Sequence, residues 1–210
     1  MRIMVLWSGG VESTSLLKYL LSTTTDEIVA HNITIHNPEA VRIPYEQKAM
    51  WDLKPMLTDI RPFEYTTSEI NICTGKAYPH DIEFHYPIGI LAMYCESCRQ
   101  LMRAQCLEDS YQKETRNGIR KYVKLDEIDT GYNQRRQILR PFLKGNDSIE
   151  TIAPWHETYT WTKAKHIEYL GDMFQYTWSC RKPVNGKECN KCHACCERNA
   201  AINHTSVVII

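Results

Sequence analysis

The chain opens with an apolar segment that is followed at once by two glycines and an amphipathic pattern. Residues 2–7 are apolar nearly throughout, as in a strand buried on both faces of a parallel sheet. Gly9 and Gly10 break this pattern after Ser8, and residues 13–21 then carry leucines at helical spacing. A buried first strand, a tight turn and a helix favour an α/β fold with a mainly parallel sheet.

Strand-like and helix-like segments continue to alternate along the chain. We predict further strands at 27–35, 61–66 and 121–128, and helices at 45–59, 88–112 and 162–170. Pro55 is expected to kink or end the helix that contains it. Residues 67–86 show no regular pattern, and the chain has no Pro/Ser/Gly-rich linker between domains.

The turn after the first strand has the chemistry of an anion site. Two glycines permit close backbone approach, and the N-terminus of the following helix offers free N–H groups and a favourable dipole. Ser8, Ser13 and Thr14 add hydroxyl groups. The turn lacks the lysine of a Walker A loop and the G-x-G-x-x-G of a dinucleotide-binding turn. The alternative is an ordinary strand-to-helix turn with a serine cap.

Nine cysteines are present, and five of them crowd into the segment 180–196. Four follow the pattern C-x8-C-x2-C-x2-C: Cys180, Cys189, Cys192 and Cys195. Such spacing lets four thiolates bind one Zn²⁺ in a closed structural site, and an iron–sulfur cluster is the main alternative. Cys196 is expected to be a buried thiol, and His193 is not needed as a ligand.

A second pair of cysteines, Cys95 and Cys98, falls within the predicted helix 88–112. Residues three apart share one face of a helix, so a redox pair is one interpretation. Packing in the core is the interpretation we prefer, because Met93, Leu101 and Met102 surround the pair in sequence.

Charge and hydropathy exclude some partners. The 25 basic and 25 acidic residues leave a formal charge of zero, which argues against a large nucleic-acid surface. No apolar run is long enough for a membrane span. No secretory signal is recognisable, so we expect a cytoplasmic protein with reduced thiols.

The apolar end, residues 207–210, fits an edge strand or a homodimer contact.

The segment from Ser8 to Thr14 resembles the S-G-G-x-D-S/T signature of the PP-loop ATP pyrophosphatases. That resemblance implies a Rossmann-like fold that binds ATP at the ends of a parallel sheet, with the loop holding the departing pyrophosphate. Glu12 stands where the signature has Asp. The charge is kept, but the carboxylate is displaced by one methylene.

The PP-loop and the C-terminal cysteines together resemble the 7-cyano-7-deazaguanine synthase family. Residues 177–180 read T-W-S-C, and 189–198 read C-N-K-C-H-A-C-C-E-R, close to the pattern of that family. Gly131-Tyr132-Asn133 resembles its G-x-N loop, and Thr162-Lys163 resembles its S/T-K pair. The resemblance implies a nucleotide-binding domain over 1–178 and a zinc-binding segment over 179–210, within one globular unit.

The family's chemistry follows from the same resemblance. ATP with Mg²⁺ would activate 7-carboxy-7-deazaguanine as an acyl-adenylate, ammonia would give the amide, and a second activation would give the nitrile. The implied catalytic residues are Ser13, Glu12 and Lys163. The implied nucleotide-binding residues are Ser8, Gly9, Gly10, Ser13, Thr14 and Gly131. The implied zinc ligands are the four spaced cysteines, and no direct contact with nucleic acid is expected.

Two departures concern the substrate pocket. Tyr86-Pro87-Ile88-Gly89 replaces an Arg-Asn pair, and Gln134-Arg135-Arg136-Gln137 replaces a segment with Asp-Cys-Arg. Three hypotheses therefore stay open: this synthase, or a variant that stops at the amide or uses another acceptor; another PP-loop ligase, such as a tRNA-modifying enzyme; and a nucleotide-binding module without catalysis.

Overall fold

The structure is a computed structural model that describes residues 1–36, 40–71, 81–104, 111–116, 119–124, 158 and 161–203. The predicted loop Gly131-Tyr132-Asn133, the segment 134–137 and the apolar end 207–210 lie outside these residues, as do residues 125–128 of the predicted strand 121–128. In the part of the chain that is described, no helix is both long and apolar enough to cross a membrane.

Parallel strands and connecting helices form the body of the structure. The sheet has four strands in the order β3-β2-β1-β4, and every neighbouring pair is parallel. The strands are β1 (Arg2–Leu6), β2 (Glu27–His36), β3 (Glu64–Asn71) and β4 (Gln100–Arg103). The intervening helices are α1 (Val11–Thr23), α2 (Ile43–Ile60) and α3 (Asp81–Cys95). The predicted α/β fold with a parallel sheet is confirmed.

The remaining described elements follow the sheet in sequence. Strands β5 (Tyr111–Arg116) and β6 (Ile119–Lys124) form an antiparallel hairpin. Helix α4 (Lys163–Leu170) continues into a 3-10 helix (Gly171–Tyr176), and α5 (His193–Ile202) follows the cysteine segment.

The strand order creates a crevice beside the end of β1. The chain runs from β1 to β3 in one direction across the sheet, and α3 then returns it so that β4 pairs with the other side of β1. In open α/β sheets, ligands bind at this reversal point, outside the carboxyl ends of the strands. The turn Ser8–Gly10 follows β1 directly and therefore lies at this edge.

Both faces of the sheet are buried at β1, which explains the continuous apolar sequence of that strand. Ile3, Val5 and Trp7 pack in the core cluster that includes residues of α1 and α2. Met4 packs on the opposite face with Met93 of α3. Truncation of one such buried side chain to alanine costs about 2–5 kcal/mol.

The predicted helix 88–112 is wrong, because α3 ends at Cys95 and β4 begins at Gln100. Ser97 adopts a left-handed conformation with φ of 54°, and the N–H of Cys98 donates to the carbonyl of Met93. Cys98 is buried whereas Cys95 is exposed, so the two thiols do not share a helical face. Pairing with β1, a long-range contact, overrides the local helical pattern.

Two smaller boundaries also differ from the prediction. The third strand covers Glu64–Asn71 rather than 61–66, so part of the irregular segment is a strand. Pro55 lies inside α2, which continues to Ile60 instead of ending there. Pro55 itself is exposed, and a helix tolerates a proline when packing elsewhere on its length compensates for the lost hydrogen bond.

Candidate functional site

Gly9 allows the chain to turn sharply from β1 into α1. Its φ is +73°, a conformation that L side chains rarely adopt. A Cβ atom at Gly9 would lie 3.1 Å from the carbonyl oxygen of Glu46 and 3.1 Å from Cγ of Met50. The backbone of this turn thus packs directly on α2, and glycine is required both for the conformation and for the close contact.

The N-terminus of α1 faces the end of the sheet without a side-chain cap. Gly10 is the N-cap residue and offers no side-chain cap, and the backbone N–H of Glu12 bonds to the carboxyl of the same residue. The Oγ atoms of Ser8 and Ser13 lie 3.2 Å apart, and the hydroxyl of Ser13 also donates to the carbonyl of Gly10. Uncapped N–H groups, the helix dipole and two hydroxyl groups together suit a phosphate.

Thr14 has a different surrounding from the one expected of a phosphate ligand. Its side chain is fully buried, and its hydroxyl accepts a hydrogen bond of 3.1 Å from Nε1 of Trp7. Thr14 therefore joins the start of α1 to the end of β1. The hydroxyl of Thr14 thus stabilises the contact between these two elements. Thr14 is near the anion site only because it lies in the first turns of α1.

Glu12 and Lys163 form a close ion pair beside the first turn of α1. The Nζ atom of Lys163 lies 2.5 Å from Oε1 of Glu12, and the lysine side chain is 9% exposed. Burial raises the pKa of the Glu12 carboxyl, but the charge and hydrogen bond of Lys163 outweigh this effect and the net pKa is lowered. Lys163 is therefore no surface lysine, because a specific carboxylate holds it within the fold.

Glu197 is a member of this site that the sequence pattern did not predict. Its Oε2 lies 3.5 Å from Nζ of Lys163, and its Oε1 lies 3.1 Å from Nδ1 of His193. Lys163 thus lies between two carboxylates from different helices, Glu12 of α1 and Glu197 of α5. The only local signal is the i, i+4 spacing of His193 and Glu197, which by itself does not point to α1.

The segment before the cysteines also contacts the glycine turn. The N–H of Trp178 donates to the carbonyl of Gly9 at 3.1 Å. The indole ring of Trp178 stacks on Tyr45, with ring centroids 4.7 Å apart and planes inclined by 16°. Trp178 therefore connects the glycine turn, the beginning of α2 and the cysteine segment.

Four cysteine sulfurs converge at the C-terminal segment. The Sγ atoms of Cys180, Cys189, Cys192 and Cys195 all lie within 4.8 Å of one another. Backbone N–H groups donate to two of these sulfurs, from Cys189 to Cys180 and from Cys192 to Cys189, each at 3.3 Å. The predicted gathering of these four thiols is confirmed, and the cluster fits a metal site.

Local structure explains why the chain can bring these sulfurs together. Val184 and Lys187 form an antiparallel bridge across a turn in which Gly186 has a φ of +79°. Asn190 also adopts a positive φ, of 54°, a conformation that asparagine tolerates better than most residues. Cys192 is the N-cap residue of α5, which carries Cys195 in its first turn.

The thiols differ in their electrostatic surroundings. Backbone donors at Lys191 and Cys192 lower the pKa of the Cys189 thiol to about 6. Burial raises the pKa of Cys180 and of Cys195. Coordination to a cation deprotonates thiols, so a bound metal would offset this cost for the buried pair.

Two neighbours of the cluster point away from it. The thiol of Cys196 is exposed and donates to the carbonyl of Lys191, so the expectation that it is buried is wrong. His193 contacts Glu197 through Nδ1. Neither side chain belongs to the group of sulfurs that could hold a metal.

A buried arginine fastens α5 to the segment before the cysteines. Nη1 of Arg198 donates to both the carbonyl oxygen and Oγ1 of Thr177, at 3.2 and 2.9 Å. Its guanidinium also lies 4.2 Å from the ring centroid of Phe174. The sequence did not predict this contact, although an arginine three residues after the last ligand is part of the sequence pattern.

A known protein family matches the C-terminal part of the chain, which contributes some of the residues of this site. The family model described as queuosine biosynthesis protein QueC matches residues 123–206. The resemblance to the 7-cyano-7-deazaguanine synthase family is confirmed. The matched span contains Lys163, Glu197 and the four clustered cysteines, whereas the glycine turn lies outside it. The match supports an ATP-using enzyme of the PP-loop type with an α/β fold.

Several solved structures match the chain, and one of them aligns with it over most of its length. It is the U34-tRNA thiolase NcsA from Methanococcus maripaludis with its [4Fe-4S] cluster, at 11% identity and a TM-score of 0.45. The alignment covers 97% of this chain and 64% of the thiolase, so the chain spans less than two thirds of that protein. No curated protein matches the sequence.

Proposed function

We propose that the protein is an ATP-dependent carbon–nitrogen ligase that converts 7-carboxy-7-deazaguanine and ammonia to 7-cyano-7-deazaguanine. The observation that carries this proposal is the ion pair of Lys163 and Glu12 beside the uncapped N-terminus of α1. A buried cation and free N–H groups at the reversal point of the sheet suit a triphosphate. The QueC family match supports the choice of substrate.

The reaction requires two adenylations by ATP, first of the carboxylate and then of the amide, and the same site would bind ATP for both. A carboxylate oxygen of the substrate attacks the α-phosphorus of ATP, and pyrophosphate leaves. The nitrogen of ammonia then attacks the acyl carbon, AMP leaves, and the amide forms after loss of a proton. The amide oxygen then attacks the α-phosphorus of a second ATP, and pyrophosphate leaves. Loss of AMP and of the two N–H protons gives the nitrile.

The residues of the turn would act on the phosphates. The N–H groups at the start of α1 and the hydroxyls of Ser8 and Ser13 would donate to phosphate oxygens as negative charge develops on the departing pyrophosphate. Lys163 would offset the same charge. Glu12 would offer a carboxylate to Mg²⁺, which would neutralise charge on the phosphates. Gly131 is proposed to contact the nucleotide only on the basis of the family's G-x-N loop.

We further propose that the four cysteines hold a structural Zn²⁺. Four thiolates arranged tetrahedrally at about 2.3 Å from one ion lie about 3.8 Å apart. The Sγ separations of 3.5 Å for Cys192–Cys195 and 4.0 Å for Cys189–Cys195 agree with that size. A four-iron cluster places its thiolates on different metal atoms and therefore farther apart. Four thiolates leave no open position for a substrate.

One assay separates the hypotheses. Purified protein receives ATP, Mg²⁺, ammonium and 7-carboxy-7-deazaguanine, and pyrophosphate, amide and nitrile are measured. Nitrile with two pyrophosphates per product is the expected result. An amide alone indicates a variant that stops after the first activation. Pyrophosphate released only when tRNA replaces the heterocycle indicates a tRNA-modifying enzyme, and no turnover with ATP still bound indicates a non-catalytic module.

A further inference from the structure

We propose that Glu197 is a positioning residue of the anion site, through which the cysteine segment holds Lys163 in place. This inference rests on the proposed function, because it assigns Lys163 to the phosphates. Glu197 lies two residues after Cys195 on α5, and its side chain is 15% exposed. It does not need to touch the nucleotide to act.

Lysine is a flexible side chain, and two carboxylates restrain this one. Ordering a lysine side chain costs conformational entropy. Glu12 at 2.5 Å and Glu197 at 3.5 Å contact the same ammonium from two helices. A site whose cation is already ordered binds an anion more tightly, because binding does not have to bear that cost.

The position of Glu197 depends on the cysteine segment. Cys192 is the N-cap residue of α5, and Cys195 lies in the first turn of that helix. Arg198, the next residue after Glu197, bonds to Thr177 and so fixes α5 to the chain that contacts Gly9 through Trp178. The cysteine segment therefore reaches the anion site by two routes, through Glu197 to Lys163 and through Trp178 to the glycine turn.

Removal of Glu197 can either tighten or weaken anion binding, and the direction of the change tests the proposal. Removal of a negative charge near a phosphate site should tighten anion binding if Glu197 acts only through its charge. If Glu197 positions Lys163, its removal should weaken binding, because the lysine is no longer held from both sides.

The experiment titrates Mg²⁺-pyrophosphate into the full chain by calorimetry, after metal content and circular dichroism have been measured for each variant. We expect Glu197→Ala to weaken binding about tenfold, a loss comparable to one charge-assisted contact. Glu197→Asp should recover part of the affinity. Glu168→Ala should change nothing, because Glu168 is an exposed glutamate on the same helix as Lys163. If Glu197→Ala does not fold, Glu197→Gln takes its place.

A double-mutant cycle with Lys163→Ala isolates the positioning role. The double variant should bind no more weakly than Lys163→Ala alone, because Glu197 acts through Lys163. Additive losses, or wild-type or tighter binding in Glu197→Ala, would overturn the inference and leave the proposed function intact. A wild-type protein that does not bind pyrophosphate would overturn both.

Discussion

The carbonyl oxygen of Gly9 accepts a hydrogen bond of 3.1 Å from the backbone N–H of Trp178. This bond joins the first turn of the chain to the segment that leads into the cysteine cluster. On its other side, Gly9 packs against the backbone of Glu46 in α2. The glycine turn is thus enclosed by two distant parts of the sequence, and its conformation depends on both.

Replacement of Gly9 by alanine should destabilise the protein strongly. The new Cβ would meet the carbonyl oxygen of Glu46 at 3.1 Å, in addition to the strain of a φ of +73°. We expect the free energy of unfolding to fall by about 2–4 kcal/mol. Urea denaturation followed by circular dichroism measures this change.

Gly186→Ala provides the matched control for Gly9→Ala. Gly186 has a φ of +79°, but among the described residues no atom lies within 4 Å of the place that a Cβ would take there. Its replacement should cost only the backbone strain, about 1 kcal/mol. Equal losses for the two variants would show that the close contact with α2 contributes nothing.

Ser13→Ala should reduce ATP turnover without unfolding the protein. Its hydroxyl contacts Ser8 and Gly10 within the turn, where it is proposed to donate to phosphate. We expect a loss of at least about tenfold in kcat, in line with the removal of one donor to developing charge. Ser22→Ala is the control, because Ser22 lies at the exposed end of the same helix. Full turnover in Ser13→Ala would remove this hydroxyl from the mechanism.

Cys192→Ser should lose the bound metal and lower the stability of the protein. Metal binding to a four-thiolate site is coupled to folding, so the loss of one ligand weakens both. Cys196→Ser tests the specificity of this effect, since its exposed thiol lies next to the cluster but does not join it. Atomic absorption and thermal denaturation check both variants. A stable, metal-free and fully active Cys192→Ser protein would contradict the prediction.

Stability should fall in mild acid because of His31. This side chain is buried between β2 and β3 with Thr66 and Ser68 as hydrogen-bond partners, and burial lowers its pKa from 6.5 to about 4. Between these values the unfolded chain binds a proton that the folded protein does not. The free energy of unfolding therefore decreases as the pH falls from 6.5 to about 4, by on the order of 3 kcal/mol.

The variant His31→Gln checks the source of this pH dependence. The difference in unfolding free energy between wild type and variant should change between pH 6.5 and about 4 and stay constant above that window. A wild-type slope in His31→Gln would show that other groups cause the acid sensitivity.

The local sequence pattern was sufficient to predict the parts of the molecule whose structure depends mainly on neighbouring residues. The apolar run of β1, the two glycines and the leucines of α1 predicted a strand, a turn and a helix because each signal is local. The spacing of the four cysteines likewise predicted a cluster, because two-residue gaps already place neighbouring thiols close together. These features required no knowledge of the remaining chain.

Tertiary structure alone decided the features that depend on distant partners. Residues Gln100–Arg103 have a helical sequence pattern, but they form strand β4 because they pair with the edge of β1. Glu197 reaches Lys163 only because α5 packs against α4, which no local pattern records. The sequence by itself determined which side chains have the chemistry for a phosphate and a metal. Packing between helices decided which of them meet, because ion pairs and parallel strands join residues that are far apart along the chain.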